Sequence, residues 1–460
     1  MGSKKNAWLK FDDTKKEEIF SFCEGYKKYI SDCKTERESI KEAISLAESK
    51  GYRDLKNVIS AGKSLKAGDK VYYNNMDKSL ALFLIGSESI ESGMRIIGSH
   101  VDSPRLDLKP NPLYEDSELS LMETHYYGGV KKYQWVTIPL ALHGVVVKKD
   151  GTKIDVVVGE EETDPVVMVS DLLVHLASEQ QQKKATEVIA GEDLNILVGS
   201  IPLEGEEKEA VKANILKLLK EKYDFEEEDF MSAEIEIVPA GKARDLGLDR
   251  SMVAGYGHDD RICAYTSLLA LLETENTKKT SVVLLVDKEE VGSIGATGMQ
   301  SRFFENAVAE LMDRVGEYSE LKLRRALANS KMLSSDVTAA FDPNYAGAYE
   351  KKNSAFFGKG LAFAKYTGAR GKSGCNDANA EFVAWLRNVM DENDVAYQMA
   401  ELGKVDQGGG GTIAYILAEY GMEVIDCGVA LQNMHAPWEV ASKVDIFETM
   451  RGYKAFLMAE

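Results

Sequence analysis

VVLLVDKEEVG, residues 282–292, is the stretch whose reading decides the fold. Five apolar residues, mostly β-branched, run without interruption into Asp287-Lys288-Glu289-Glu290 and, after Val291, a glycine. A short continuous apolar run reads as a strand buried on both faces of a parallel sheet. Charges directly after such a strand sit at its carboxyl end, where open α/β sheets bind ligands. Adjacent carboxylates at that rim repel each other. A metal ion with a water to deprotonate offsets them: one glutamate ligates and the other takes the proton.

The bulk numbers set the class. At 460 residues the chain exceeds the ~250–300 at which single cores split, so two domains are expected. Hydrophobic content of 44% and charged content of 28% are those of a soluble globular protein. A net charge of −19 argues against nucleic-acid and anionic-membrane partners, both of which require clustered Lys and Arg. The five cysteines, Cys23, Cys33, Cys263, Cys375 and Cys427, form no CxxC pair, so neither a disulfide framework nor a thiolate zinc site is indicated. No apolar stretch approaches ~18 residues and the first residues are polar, so a cytoplasmic setting is expected.

Outward from the central run, the N-terminal side predicts two amphipathic helices over 13–50, ended at Gly51. Paired strands follow at Val71–Tyr73 and Leu80–Ile85. A strand at Met94–Ile97 runs into Gly98-Ser99-His100-Val101-Asp102. From 106 to 243 the texture changes to short β-branched runs (Val136–Ile138, Gly144–Val147, Ile154–Val158, Ile196–Val198, Glu234–Val238). Helices are expected at 168–182 and 207–222, and a solvated acidic loop at Glu226–Asp229. From Asp245 strands and helices alternate again: helices at 259–273, 302–328, 377–392 and 411–420, with strands at 281–286, 331–335, 396–400 and 423–427. That rhythm implies a mostly parallel sheet with helices on both faces. The expected organisation is a discontinuous α/β domain, 1–105 and 244–460, interrupted by a β-rich insert, 106–243.

Metal-capable residues recur where these strands stop. His100 and Asp102 lie two apart in an extended HxD, which puts both side chains on one side of the backbone; the aspartate can hold the imidazole's other nitrogen. Asp259-Asp260 stands between a glycine-rich loop and an apolar helix. Glu289-Glu290, Asp336 and His435 follow. His125, His143 and His258 have no such context and read as structural. Two histidines, one bridging aspartate, one further aspartate, one glutamate and a spare glutamate as base suit a pair of zinc-like ions ~3.5–4 Å apart, bridged by a carboxylate and a hydroxide. Mixed N/O donors without thiolate admit zinc, cobalt or manganese.

GSHVDSPRLDLKP (98–110), HDDR (258–261), DKEEVGS (287–293), SSDVTAAFDPNY (334–345) and NMHAPWEV (433–440) together resemble the M18 metallo-aminopeptidases, the aspartyl-aminopeptidase and aminopeptidase-I group. The resemblance covers essentially the whole chain. It implies a phosphorylase/peptidase-like catalytic domain with a β-rich dimerisation insert, two divalent ions per subunit, and peptide substrates with a free N-terminus. It implies that His100 and Asp336 hold one metal, that Glu290 and His435 hold the other, and that Asp259 bridges them. Glu289 is then the general base and Asp102 orients His100. Asp259 is preferred to Asp260 because the family's bridging aspartate directly precedes a position that is Asn or Asp. It also implies dimers assembled into a tetrahedral dodecamer, in which an insert histidine reaches a neighbour's site; His175 in DLLVHL (171–176) is the candidate, equally readable as an interface residue.

Substrate choice is left open. Arg370 and Lys372, in the glycine-rich loop Gly368–Gly374, either pair with an acidic first residue or are solvated loop charges, and other family members prefer neutral residues such as leucine. The run Gly408–Gly411 marks either a close approach or a flexible segment. Three other readings share parts of the pattern. A dinuclear carboxypeptidase or deacylase has the same ligand order. A non-enzymatic shell protein predicts a degenerate ligand set. A structural metalloprotein has no use for the second glutamate.

Overall fold

The Val282–Val286 run lies inside a strand, Thr280–Val286, in which every residue is buried. The computed structural model describes residues 5–374 and 376–460; Cys375 lies outside the described residues. The chain divides into two compact units. One comprises the residues through Asp102, Ala243–Met434 and Glu439–Glu460, and the other Ser103–Lys242 with His435–Trp438.

In the first unit a nine-stranded sheet runs in the order Arg53–Asp54, Lys70–Asn75, Ser79–Leu84, Thr280–Val286, Met94–His100, Lys331–Ser335, Glu423–Gly428, Leu361–Ala364, Tyr397–Met399. The four strands from Thr280–Val286 to Glu423–Gly428 are mutually parallel. Their flanks are not: Ser79–Leu84 runs against both its neighbours, and Leu361–Ala364 runs against Glu423–Gly428. The sheet is therefore mixed, with five parallel and three antiparallel pairings among the described residues. Lys70–Asn75 and Ser79–Leu84 are joined by a tight turn through Met76 and Asp77, both at positive φ, and so short a link can only make an antiparallel pair.

Alternation along the central strands feeds two cores. Ile97, Val283, Leu285, Leu333 and Ile425 pack with residues of the helices His258–Leu272, Ala380–Glu392 and Lys443–Met458. Ile96, Val282, Leu284, Val286, Met332 and Val424 pack with Phe303–Arg314 and Glu320–Ala328. Burial on both faces is what makes these strands read as continuous apolar runs. A five-stranded sheet, which the sequence pattern did not reveal, joins Arg244–Leu246, Met252–Gly255, Glu439–Ser442, Ala430–Gln432 and Thr338–Ala339.

The second unit holds a seven-stranded sheet, antiparallel at every pairing, in the order Lys153–Val158, Leu140–Val147, Ala233–Pro239, Arg105–Asp116, Leu119–Tyr127, Ile196–Gly199, Met168–Val169.

Several expected elements differ. The helix expected over 168–182 is absent. Leu172, Leu173, Val174 and Leu176 are exposed, so their helical spacing finds no core to bury against. Val136–Ile138 is an irregular bend around buried Trp135, with Thr137 at φ +60. The helix expected over 302–328 is two, Phe303–Arg314 and Glu320–Ala328. Gly316 at φ +79 ends the first, and the Ser319 hydroxyl caps the second by accepting from the Lys322 N–H. The helix near 411–420 is only Ala414–Ala418. The acidic run at Glu226–Asp229 is not a free loop: Asp229 is buried at the start of a 3-10 turn, Glu227–Ser232. Among the described residues no helix is long and apolar enough to cross a membrane.

Candidate metal centre

Register builds the site. In the parallel core of the sheet His100 pairs with Val286, and Gly98 pairs with Ser334. The three neighbouring strands thus end side by side and release His100–Asp102, Asp287–Glu290 and Asp336 onto one rim. The start of helix His258–Leu272 adds Asp259 and Asp260, whose dihedrals are not helical. Gly257 makes that start possible: at φ +73, an added Cβ would stand 1.5 Å from Arg261 Nη2.

His100 is the hub. Its Nδ1 donates to the Asp102 carbonyl at 2.9 Å and lies 3.3 Å from the Asp102 carboxylate. Its Nε2 faces the carboxylates, 3.2 Å from Asp259, 3.9 Å from Asp336 and 4.0 Å from Glu289. Its backbone N–H donates to Asp260 Oδ2 at 3.2 Å. Asp102 has a second task. Its two carboxylate oxygens accept the backbone N–H groups of Glu289 (3.1 Å) and Glu290 (3.2 Å), so one buried aspartate sets both the imidazole and the glutamate pair. Lys288 and Gly292, both left-handed, bracket the turn that presents those glutamates.

Two overlapping groups have the donors of a metal site: His100 with Asp259 and Glu290, and His100 with Asp260 and Asp336, each with ligand atoms within 4.8 Å of one another. Their electrostatics are unbalanced. Burial pushes the Asp336 and Asp260 carboxyls well above the usual range; the charge of Asp260 adds to the effect at Asp336, and Cys263 and Asp259 add to it at Asp260. Burial alone would lower the His100 ring, but its hydrogen bonds to Asp102 and Asp259 and the charge of Asp336 outweigh it, and the ring titrates well above its usual value. Two like charges at 4 Å repel by about 4 kcal/mol at the effective dielectric of a protein surface. One imidazolium cannot offset several such pairs, whereas divalent cations can. One imidazole with carboxylates and no thiolate is the donor set of a hard or borderline ion.

The remaining expected site residues sit elsewhere. His435, in the second unit, has φ +65, and its Nδ1 donates to the Gly129 carbonyl at 2.9 Å, leaving Nε2 as the lone-pair nitrogen. His175, also in the second unit, is exposed in a turn. Arg370 and Lys372 occupy the exposed tip of a small loop closed by Ala369 and Ser373. Lys372 Nζ sits over the Tyr366 ring at 3.4 Å, and among the described residues neither cation has an ion-pair partner. The glycines 408–411 make the close approach: a Cβ at Gly409 would stand 2.2 Å from the Gly368 carbonyl.

Two supporting residues escaped the sequence reading. Buried Glu439 accepts the Asp259 backbone N–H at 3.1 Å. Gly428 lets the Asp336 segment lie against its strand. The Asp336 N–H donates to the Cys427 carbonyl, and a Cβ on Gly428 would meet the Asp336 carbonyl oxygen at 2.0 Å. Gly428→Ala must therefore push Asp336 outward. Its zinc affinity, measured by competition with a chelator, should fall about 10–100-fold, as when a ligand's support is disturbed.

Comparison with known proteins agrees in kind. A profile of the family described as aminopeptidase I zinc metalloprotease (M18) matches residues 29–457. A probable M18 family aminopeptidase 1 from Clostridium acetobutylicum is 67% identical over 454 residues, covering 98% of each chain. The crystal structure of an M18-family aminopeptidase from Thermotoga maritima superposes with a TM-score of 0.95 at 46% identity, covering 99% of each chain. That of aminopeptidase I from Clostridium acetobutylicum gives 0.93 at 66%, with the same coverage.

Proposed function

Because this chain belongs to the M18 family of zinc metallo-aminopeptidases, we propose that it removes single N-terminal residues, acidic or neutral, from peptides with a free amine, using two divalent ions. The observation that carries this reading is the shared hub: His100 takes part in both carboxylate groups, with Glu289 beside it but belonging to neither.

In this reading Asp259 would join the two ion positions, Asp336 would complete one with His100, and Glu290 would complete the other together with His435, the ligand the family resemblance implies. Ions bound there would polarise the scissile carbonyl and acidify the attacking water. Glu289, the carboxylate left over, takes that water's proton and passes it to the leaving amine. Asp102 holds His100 in one tautomer and fixes the Glu289-Glu290 backbone throughout. The first unit is then the phosphorylase/peptidase-like catalytic domain and the second a dimerisation domain. The exposed apolar run Leu172–Leu176 in the second unit supports assembly of dimers into a larger shell, a tetrahedral dodecamer. The four described cysteines are free and buried, which suits a reducing, cytoplasmic setting.

The test is hydrolysis of aminoacyl-naphthylamides, each with a free or an acetylated amine, in zinc, cobalt and manganese. The expected result is cleavage of the free-amine compounds alone. The rank of Asp and Glu against Leu then shows whether Arg370 or Lys372 reads an acidic side chain. Cleavage of acetylated compounds would instead make the chain a deacylase, and silence across the panel with metal bound would make it a non-enzymatic protein.

A further inference from the structure

Asp426 is a buried carboxylate with no part in the chemistry above. It is 3% exposed and pairs in register with Ser334, two residues before Asp336; Ser334 in turn pairs with Gly98, two residues before His100. Asp426 thus lies one pleat repeat, about 7 Å, below the row of candidate ligands. Among the described residues no cation is ion-paired with it. Burial pushes its carboxyl up to about 6 against the pull of neutral donors only: Thr412, Ser334, Asn376 and Thr367.

Two of those donors, Thr412 and Thr367, adjoin glycine-rich loops. The Thr412 hydroxyl, directly after Gly408–Gly411, donates a short bond to Asp426 Oδ1, and the Thr367 hydroxyl, directly before Gly368, donates to Oδ2 at 3.4 Å. Thr367 also accepts the Asn376 N–H at 3.1 Å, which closes the neck of its loop. The loops are joined to each other by the Gly368 N–H donating to the Gly410 carbonyl at 3.0 Å. Glycine has no side chain with which to hold a shape and loses the most entropy when ordered, and these loops carry three and four glycines. A carboxylate buried without a counter-charge is costly, and here two of its donors come from the segments that most need an anchor.

We infer that Asp426 is a positioning residue that clamps the Gly368–Gly374 and Gly408–Gly411 loops as one wall for the substrate's first side chain. This rests on the aminopeptidase reading of the site. The clamp acts on substrate binding and leaves the ion ligands and Glu289 untouched.

The test uses the zinc-loaded full chain with Asp426→Ala, Asp426→Asn and the double variant Thr367→Val/Thr412→Val. Asp426→Ala should raise KM for free-amine naphthylamides by about tenfold or more, with kcat within about threefold and zinc content unchanged. Asp426→Asn, which can accept from one threonine and donate to the other, should restore most of the loss, and the double valine variant should reproduce it. Hydrogen exchange should rise over 366–376 and 402–412 and stay constant in the central strands. A variant that lowers thermal stability but leaves KM and loop exchange at wild-type values would overturn the clamp, as would loss of zinc. If the wild-type chain cleaves no free-amine compound, the proposed function falls, and loop exchange still decides whether the anchor exists. If Asp426→Ala fails to fold, the threonine variants carry the same comparison.

Discussion

Glu289→Gln should lose about 10²–10⁴-fold in kcat while binding zinc as the wild type does. The amide has the same size and keeps the backbone N–H that Asp102 holds at 3.1 Å, so the turn should not move. It cannot take a proton. Glu289 lies 4.0 Å from His100 Nε2, with its side chain only 16% exposed, and it is the neighbouring Glu290 that enters a candidate ligand group. This division of labour between adjacent glutamates is what the experiment isolates. Zinc content by mass spectrometry and single-turnover hydrolysis of a free-amine naphthylamide read the two halves separately. Near-wild-type turnover would move the base to another carboxylate of the cluster. Loss of zinc would make Glu289 a ligand.

His100→Ala should have the opposite signature, with metal and activity lost together. His100 is common to both donor groups and is the imidazole in each, so its removal leaves only carboxylates in those two groups. Zinc stoichiometry should drop by at least one ion per chain, and kcat/KM by about 10³-fold or more, since both water activation and carbonyl polarisation depend on the ions. Stabilisation by zinc should shrink in step. An ion at 100 times its Kd contributes about 2.7 kcal/mol, so the thermal midpoint of the variant should respond far less to added zinc than that of the wild type. A variant that retained full zinc content would show that the carboxylates suffice and that His100 serves only to hold Asp102 and the glutamate turn.

Legibility followed burial. The strands and helices that bury a continuous or periodic apolar face were readable: Thr280–Val286, Met94–His100, Asp13–Asp32, Glu36–Ser49 and His258–Leu272 all lie where their patterns predict. The misreadings come from patterns without a partner. Residues 168–182 carry helical spacing, but their leucines face outward. The hairpin Arg105–Asp116 with Leu119–Tyr127, rich in Pro, Asp and Glu, carries no strand pattern, yet it supplies two strands of the second unit's sheet. The helix Lys443–Met458 is mostly buried around its circumference, charges included, so no polar face announced it. At the site, the residue types were legible because metal chemistry needs carboxylates and imidazoles next to strand ends. What each one touches was not.

What the sequence by itself determined is the inventory and the family: apolar runs that end in HxD, Glu-Glu and Asp in that order, in motifs specific enough to name the M18 group. Local patterns of two and four residues are enough for that, because strand ends and charges are adjacent in the chain. Only the tertiary structure decided the assembly. Sheet register, which depends on strands remote in sequence, sets Val286 beside His100, Gly98 beside Ser334 and Ser334 beside Asp426. The same level put Asp260 with Asp336 and Asp259 with Glu290, turned Asp102 toward two backbone amides as well as an imidazole, and made Gly428 the only residue type that fits behind Asp336. Such choices rest on distances of a few ångströms between remote segments, where a hydrogen bond, a clash or a repulsion outweighs any local propensity.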